Sequence, residues 1–105
     1  MQQKSTPKKN STSGITVMSD WRLKSVKPID NYVLEVEFMD GLCGRVEMRR
    51  RIMSRKAGVF SSLRDVNVFN QVFLEYGVVT WPGEIDLAPD AMHDEIQRNG
   101  EWILN

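Results

Sequence analysis

The sequence predicts an α+β domain: a small antiparallel β-meander sheet with short helical turns and a C-terminal helix, preceded by a disordered N-terminal tail. Three observations predict it. Apolar and polar residues alternate through successive segments between residues 20 and 48, which is typical of half-buried strands. Turn-forming residues separate these segments. A helical pattern near the C-terminus begins with a proline and is followed by a glycine.

Residues 1–18 are predicted to be the tail, and residues 19–105 a single domain. The first fourteen residues are polar, include Lys4, Lys8 and Lys9, and offer nothing to bury. A chain of 105 residues suffices for one hydrophobic core. No apolar run approaches the roughly 20 residues of a membrane span, and no signal peptide pattern is present. We therefore expect a soluble, cytoplasmic protein.

The first predicted strand spans residues 20–27, with Trp21, Leu23 and Val26 on its inner face. The second spans residues 32–38, and the third spans residues 42–48. Their predicted inner faces carry Tyr32, Leu34, Val36 and Phe38 in the second strand and Leu42, Gly44, Val46 and Met48 in the third.

Loop length decides how the second and third strands pair. A two-residue turn at Asp40-Gly41 would place Val36 opposite Arg45 and mix the two faces. A three-residue loop, residues 39–41 with Gly41 in the left-handed conformation, instead pairs Val36 with Gly44 and brings the apolar residues to one side. We therefore predict the three-residue loop, with Glu35 beside Arg45 and Glu37 beside Cys43 on the outer face.

A basic run follows the third strand and contains Arg49, Arg50, Arg51, Arg55 and Lys56. One interpretation is a surface that contacts nucleic acid phosphates. The other is a solvated loop or short helix that leaves the strand, and it is favoured because no aromatic residue is interleaved with the arginines.

Residues 60–72 have the spacing of short helical turns, and Asp65 is placed to cap a turn that runs to Phe69. Residues 72–81 predict two short strands joined near Tyr76-Gly77, a hairpin that adds to the first sheet. The last strand is expected to end at Trp81.

After that strand, Pro82-Gly83 is predicted to turn the chain and Ile85 and Leu87 to enter the core. Pro89 suits the first position of a helix, which Gly100 would end. Met92 and Ile96 form its inner stripe, and Ala88 leaves its start weakly capped. For Trp102 and Ile103 two placements stay open: packing back on the domain, or an exposed docking segment.

Single residues exclude several classes of site. Cys43 is the only cysteine, so a disulfide within the chain and a cysteine-based zinc site are excluded, and we expect a partly buried strand residue. A metal site at His93 would need Asp94, Glu95 or other carboxylates, and neither of those two lies one helical turn away, so no metal and no cofactor are expected. Asp86 and Asp90 lack the nucleophile, histidine pair or glycine loop of an active site, which argues against an enzyme.

Charge is unevenly distributed along a chain whose net charge is zero. Residues 1–56 contain twelve Lys or Arg and six Asp or Glu, whereas residues 57–105 contain two and eight. Either the two halves attract each other in the fold, or one half binds a partner of opposite charge.

Four marks in order along residues 20–95 resemble one family: Trp21, the block from Pro28 to Met48, residues 58–65, and residues 78–92. The chain is similar to the small bacterial family catalogued as domain of unknown function 2442. The most specific mark is the series Trp81-Pro82, Asp86-Leu87 and Pro89. The basic run and Ala88, where a capping serine is common, depart from the family pattern.

The resemblance implies a small α+β domain without known enzymatic activity, encoded beside a second small protein in an arrangement like a toxin–antitoxin pair. This domain would be the antitoxin-like partner. We therefore expect a non-enzymatic module that binds a small, basic protein. The candidate partner-binding residues are Trp81, Glu84, Asp86, Asp90 and Asp94. Trp81 is either an anchor for the partner or a core residue.

The alternative function is nucleic-acid binding or regulation through the basic run, and it is not favoured. No membrane partner is expected. Exposed edge strands are compatible with either a monomer or a homodimer.

Overall fold

The computed structural model describes residues 21–105 and confirms the α+β class. The predicted tail, residues 1–18, lies outside the described residues. The elements in chain order are β1 (Leu23–Ile29), β2 (Val33–Phe38), β3 (Cys43–Glu47), α1 (Arg49–Ile52), a 3-10 helix (Gly58–Arg64), α2 (Val66–Phe69), β4 (Phe73–Glu75), β5 (Val78–Trp81), β6 (Ile85–Asp86), α3 (Pro89–Asn99) and β7 (Glu101–Ile103).

The first sheet has the strand order β1-β2-β3-β7. Its first three strands are antiparallel, and β7 runs parallel to β3. The predicted register between β2 and β3 is confirmed, since Glu35 lies opposite Arg45 and Glu37 lies opposite Cys43. Gly41 has φ 92° and completes the three-residue loop, a conformation that glycine adopts without steric cost.

The second sheet has the order β4-β5-β6. The hairpin at Tyr76-Gly77 is confirmed, but the prediction that it extends the first sheet was wrong. Its strand β5 pairs with β6, which the sequence analysis did not foresee, and the edge of β3 is taken by β7. The sheets meet where the backbone N–H of Leu23 donates to the carbonyl of Gly77 at 2.8 Å.

The core contains buried apolar residues from every strand except β4 and β7, and from the helices. Its buried members are Leu23, Leu34, Val36, Phe38, Val46, Met48, Ile52, Leu63, Phe69, Val79, Trp81, Ile85, Leu87, Met92, Ile96 and Leu104. The inner stripe predicted for the helix, Met92 and Ile96, is confirmed. So is the burial of Ile85 and Leu87.

Local capping explains where the helices begin and end. The Asp65 side chain accepts a hydrogen bond from the backbone N–H of Asn67 at 2.9 Å, which confirms it as the cap of α2. Helix α3 begins at Pro89 with no side-chain cap from Ala88, and it ends at Gly100, whose φ of 80° is left-handed.

Two predicted placements were wrong. Trp21 is 44% exposed rather than inward, because β1 begins only at Leu23 and Trp21 precedes it. Cys43 lies in β3 but is exposed, because the register puts it on the outer face opposite Glu37. Of the two placements left open for Trp102 and Ile103, the structure shows the first, since both residues belong to β7.

Within residues 21–105, no helix combines the length and the apolar character needed to cross a membrane.

Candidate partner-binding surface

The four acidic candidates are all exposed and lie along the segment that leaves β5. Glu84 occupies the turn before β6 with a left-handed φ of 65°. Asp86 belongs to β6, and Asp90 lies in the first turn of α3. Asp94 forms an ion pair with Arg98 at 3.0 Å. Among the described residues, Glu84, Asp86 and Asp90 have no cation within ion-pairing distance.

Trp81 lies in the core, with 0% of its surface exposed. Its indole Nε1–H donates to the carbonyl of Phe69 at 2.8 Å. The ring also packs against that of Phe69, with 5.9 Å between centroids. A partner therefore has no access to Trp81 in the folded domain, and the core role is the one the structure shows.

Two other aromatic residues of the second sheet are exposed: Phe73 at 41% and Tyr76 at 91%. Phe73 pairs with Thr80, and Thr80 pairs with Asp86. Directly opposite residues share one face of an antiparallel sheet, so Phe73 and Asp86 flank Thr80 in one row. Thr80 is buried, whereas Phe73 and Asp86 are exposed. Sequence reasoning missed both aromatics because it ranked Trp81 first.

Tyr76 has an unfavourable backbone conformation. Tyr76 and Gly77 form the two-residue loop between β4 and β5, with φ values of 53° and 79°. Two consecutive positive φ values are typical of a type I′ hairpin turn, where Asn-Gly is the usual pair. A bulky residue in the left-handed region costs roughly 1–2 kcal/mol. The Tyr-Gly pair, found where Asn-Gly is usual, is the sequence signal that could have identified this residue.

Several exposed carboxylates lie in the second sheet near these aromatics. Glu75 adjoins Tyr76 and is exposed, as are Glu84 and Asp86. The only two cations of residues 57–105 are Arg64 and Arg98. Arg64 donates to the carbonyls of Ile52 and Ser54 at 2.8 and 3.1 Å, and Arg98 is paired with Asp94. Arg22, which precedes β1, is a third nearby cation, because its side chain packs against Gly77 beside Tyr76. None of the three forms an ion pair with the acids of the second sheet. We call the set Phe73, Glu75, Tyr76, Glu84 and Asp86 the aromatic–acidic face. Glu75 and Tyr76 lie beside the start of β5, and the other three lie toward its end.

The basic run is divided by the fold. Arg49 and Arg50 line a cleft of about 800 Å³ at one end of the first sheet. Arg50 also donates to the side-chain oxygen of Asn105 at 2.9 Å, and Arg51 donates to the backbone oxygen of the same residue. Arg55 and Lys56 are exposed in the turn after α1. The start of the run forms the short helix α1, as one of the two interpretations predicted. The lining of the cleft contains no aromatic residue.

The cleft of about 800 Å³ is bordered by apolar and polar side chains together: Asn31, Val33, Glu47, Arg49, Arg50, Met53 and Ile103. A shallower cleft of about 400 Å³ lies over the charged outer face of β1, β2 and β3. Asp86 and Asp90 line neither cleft.

His93 contacts Asp40 rather than a metal-binding cluster. Its Nε2 lies 2.7 Å from Oδ2 of Asp40, and its side chain is 14% exposed. Its ring meets Phe38 edge to face at 4.8 Å. Across residues 21–105, no three His, Cys, Asp or Glu side chains are arranged to hold a metal ion.

Comparison with known proteins gives one match. No curated protein and no solved structure matches the chain. The family model described as "Protein of unknown function (DUF2442)" matches residues 23–98. This range starts at the first residue of β1 and reaches the last turn of α3. The chain therefore belongs to the DUF2442 family of proteins of unknown function.

Proposed function

We propose that this protein is a non-enzymatic interaction module that binds a basic protein partner through the aromatic–acidic face. The observation that carries the proposal is Tyr76, which is 91% exposed and has a left-handed backbone. Such a residue destabilises the free domain and gains almost nothing from burial within it. Unfavourable conformations of this kind cluster at binding sites, where contact with a partner compensates for them.

The composition of the face suits a protein partner. Tyrosine is enriched among the residues that contribute most to protein interfaces. Phe73, exposed in the same hairpin, adds apolar area. Each ring supplies apolar area with a carboxylate beside it, since Glu75 precedes Tyr76 and Asp86 lies in the same row as Phe73. Apolar contacts flanked by charged groups are usual in such interfaces.

Charge supports a basic partner. The aromatic–acidic face contains three carboxylates, those of Glu75, Glu84 and Asp86. Asp90 adds a fourth at the start of α3. Among the described residues these carboxylates form no ion pairs. A surface rich in such carboxylates accelerates the encounter with a positively charged protein and disfavours acidic ones. The family resemblance supports a specific source for it: a small protein encoded by a neighbouring gene, which this domain would sequester in the manner of an antitoxin.

The test is purification of the tagged protein from its native host at moderate salt, with mass spectrometry of what remains bound. We expect one small basic protein in stoichiometric amount. Tyr76→Asn keeps a residue suited to the turn and should reduce recovery of that protein at least tenfold. Val59→Ser is the matched control, because Val59 is 68% exposed and belongs to the 3-10 helix rather than to the second sheet. Equal recovery with wild type and Tyr76→Asn contradicts the proposal.

Nucleic-acid binding is the second candidate. Arg49 and Arg50 line one cleft and have no carboxylate within ion-pairing distance in residues 21–105. Phosphate contacts predict retention of DNA or RNA that falls steeply as salt is added. Arg49→Gln with Arg55→Gln removes one arginine of the cleft and one of the turn after α1, and it leaves the contacts of Arg50 and Arg51 with Asn105 intact. Unchanged retention at low salt in this double variant contradicts the candidate.

A further inference from the structure

We propose that the protein forms a symmetric homodimer in which β7 of one copy pairs antiparallel with β7 of a second copy, joining the two first sheets into one. Strand β7 belongs to the first sheet, whereas the aromatic–acidic face belongs to the second. The proposal therefore does not rest on the proposed function. Four features of β7 and its surroundings carry it.

The first feature is an open strand edge. β7 is the last strand of the sheet, and Trp102 pairs with Val46 while the N–H of Leu104 donates to the carbonyl of Glu47 at 3.0 Å. Backbone groups of successive strand residues point to opposite sides. The N–H and C=O of Glu101 and Ile103 therefore point away from β3, and no other backbone group of residues 21–105 bonds to them. We call these groups the open edge.

The second feature is that the open edge is complementary to itself. An antiparallel pair exchanges two hydrogen bonds between directly opposite residues. With a two-fold axis at Trp102, Ile103 of one copy faces Glu101 of the other, and the reverse pair forms by symmetry. All the N–H and C=O groups of the open edge are then used, without a gap or a bulge. A two-fold interface requires this kind of self-complementarity.

The third feature is charge. Arg49 and Arg50 line the same cleft as Ile103. Since Ile103 faces Glu101 of the second copy in this register, that glutamate is brought to a cleft with two guanidinium groups and one carboxylate, Glu47. Each of the two clefts in the dimer therefore receives the Glu101 carboxylate of the other copy, which is complementary to the arginines.

The fourth feature is apolar area at the axis. Ile103 is 41% exposed, and Met53, at 45%, lies in the same cleft. Trp102 is only partly buried and packs against the core. In the proposed register the two Trp102 residues form the close, non-hydrogen-bonded pair, a position where cross-strand aromatic contacts stabilise a sheet.

The test is sedimentation velocity of the full chain from about 5 to 500 µM, a range suited to the weak association expected of a small interface. We expect a monomer at the low end and a dimer at the high end. Ile103→Pro removes an N–H of the open edge but no bond to β3, and proline is tolerated at sheet edges. It should weaken dimerisation at least tenfold, with the thermal midpoint close to wild type. Ile103→Thr is the matched control, because it also loses the isoleucine yet keeps the N–H.

A charge exchange tests the register. Two variants are tested first by themselves: the single variant Glu101→Lys, and the double variant Arg49→Glu with Arg50→Glu. Each should remain monomeric at about 200 µM. An equal mixture of the two variants should form a heterodimer. The new lysine of one copy then meets the two new glutamates of the other, and the native Glu101 of the second copy meets the native Arg49 and Arg50 of the first. A wild-type chain that stays monomeric throughout, an Ile103→Pro dimer of unchanged affinity, or a mixture that fails to associate overturns the proposal. A monomeric wild type would leave the open edge to a strand of another protein.

Discussion

Gly44 of β3 lies directly beneath Ile96 of α3. A Cβ atom at Gly44 would come 2.5 Å from Cγ2 of Ile96 and 2.8 Å from the carbonyl oxygen of Gly100. Both distances are shorter than van der Waals contact, and the second involves backbone. The absence of a side chain at Gly44 therefore sets how closely the helix approaches the sheet, and it also positions the turn from which β7 starts.

Gly44→Ala is expected to destabilise the domain by about 1–3 kcal/mol, the usual cost of adding atoms to a well-packed core. Urea unfolding measures it, with Cys43→Ala as control, because Cys43 is the exposed neighbour in the same strand and should change stability by less than about 0.5 kcal/mol. In a background of Ile96→Ala the penalty of Gly44→Ala should fall by at least about 0.5 kcal/mol, since one clashing group is gone. If the stability costs of Gly44→Ala and Ile96→Ala are strictly additive, the contact between positions 44 and 96 does not limit how closely the helix approaches the sheet.

Trp81→Ala is expected to cost about 3–5 kcal/mol, as for other large residues removed from a core. Trp81→Phe should cost less, about 1 kcal/mol for the lost hydrogen bond to Phe69 together with a smaller cavity. Trp21→Ala is the control at an exposed tryptophan and should cost under about 1 kcal/mol. Thermal and urea unfolding measure all three. A Trp81→Ala protein as stable as wild type would contradict the core role of this residue.

Tyr76→Asn is expected to raise the free energy of unfolding by about 0.5–1 kcal/mol, because asparagine suits a left-handed turn position better than tyrosine. Gly77→Ala tests the same loop in the other direction. Gly77 has φ 79°, and a Cβ there would meet Cβ of Arg22 at 2.7 Å, so its substitution should destabilise by more than about 1 kcal/mol. Chemical unfolding of both variants checks the pair. Lower stability in Tyr76→Asn would mean that the tyrosine stabilises the free domain and would weaken the case for a binding role.

The hairpin of β2 and β3 was predictable because its constraints are local. Loop length and alternation together allow one register that keeps Leu34, Val36 and Val46 on one face. The face of Trp81 was harder to predict, because its strand has only four residues. Trp81 faces the core together with its partner Ile85 of β6, and the two residues of β6 are too few for an alternating pattern.

The parallel pairing of β7 with β3 had no local signal at all. It depends on α3 returning the chain across the sheet and on Gly44 allowing the helix to approach. The contact between His93 and Asp40 likewise joins residues that are 53 positions apart in the sequence. In each case the decisive contact joins segments distant in sequence, whereas pattern reasoning compares neighbours.

His93 and Asp40 are expected to stabilise the fold as a coupled pair. Oδ2 of Asp40 contacts Nε2 of His93 at 2.7 Å, and Oδ1 accepts from the N–H of Leu42 at 3.0 Å, so the carboxylate ties α3 to the loop between β2 and β3. His93→Phe keeps a ring against Phe38 and removes the nitrogen. It should cost about 0.5–1.5 kcal/mol in wild type and little in a background of Asp40→Ala.

A double-mutant cycle of these two substitutions, measured by urea unfolding, isolates the interaction between the side chains. We expect a coupling free energy of at least about 0.5 kcal/mol, the level that contacting residues typically show. Because Asp40→Ala also removes the acceptor for Leu42, its own cost should exceed that of His93→Phe. Additive costs would instead assign the effect of His93 to its packing against Phe38, and Asp40 would then act only within its own loop.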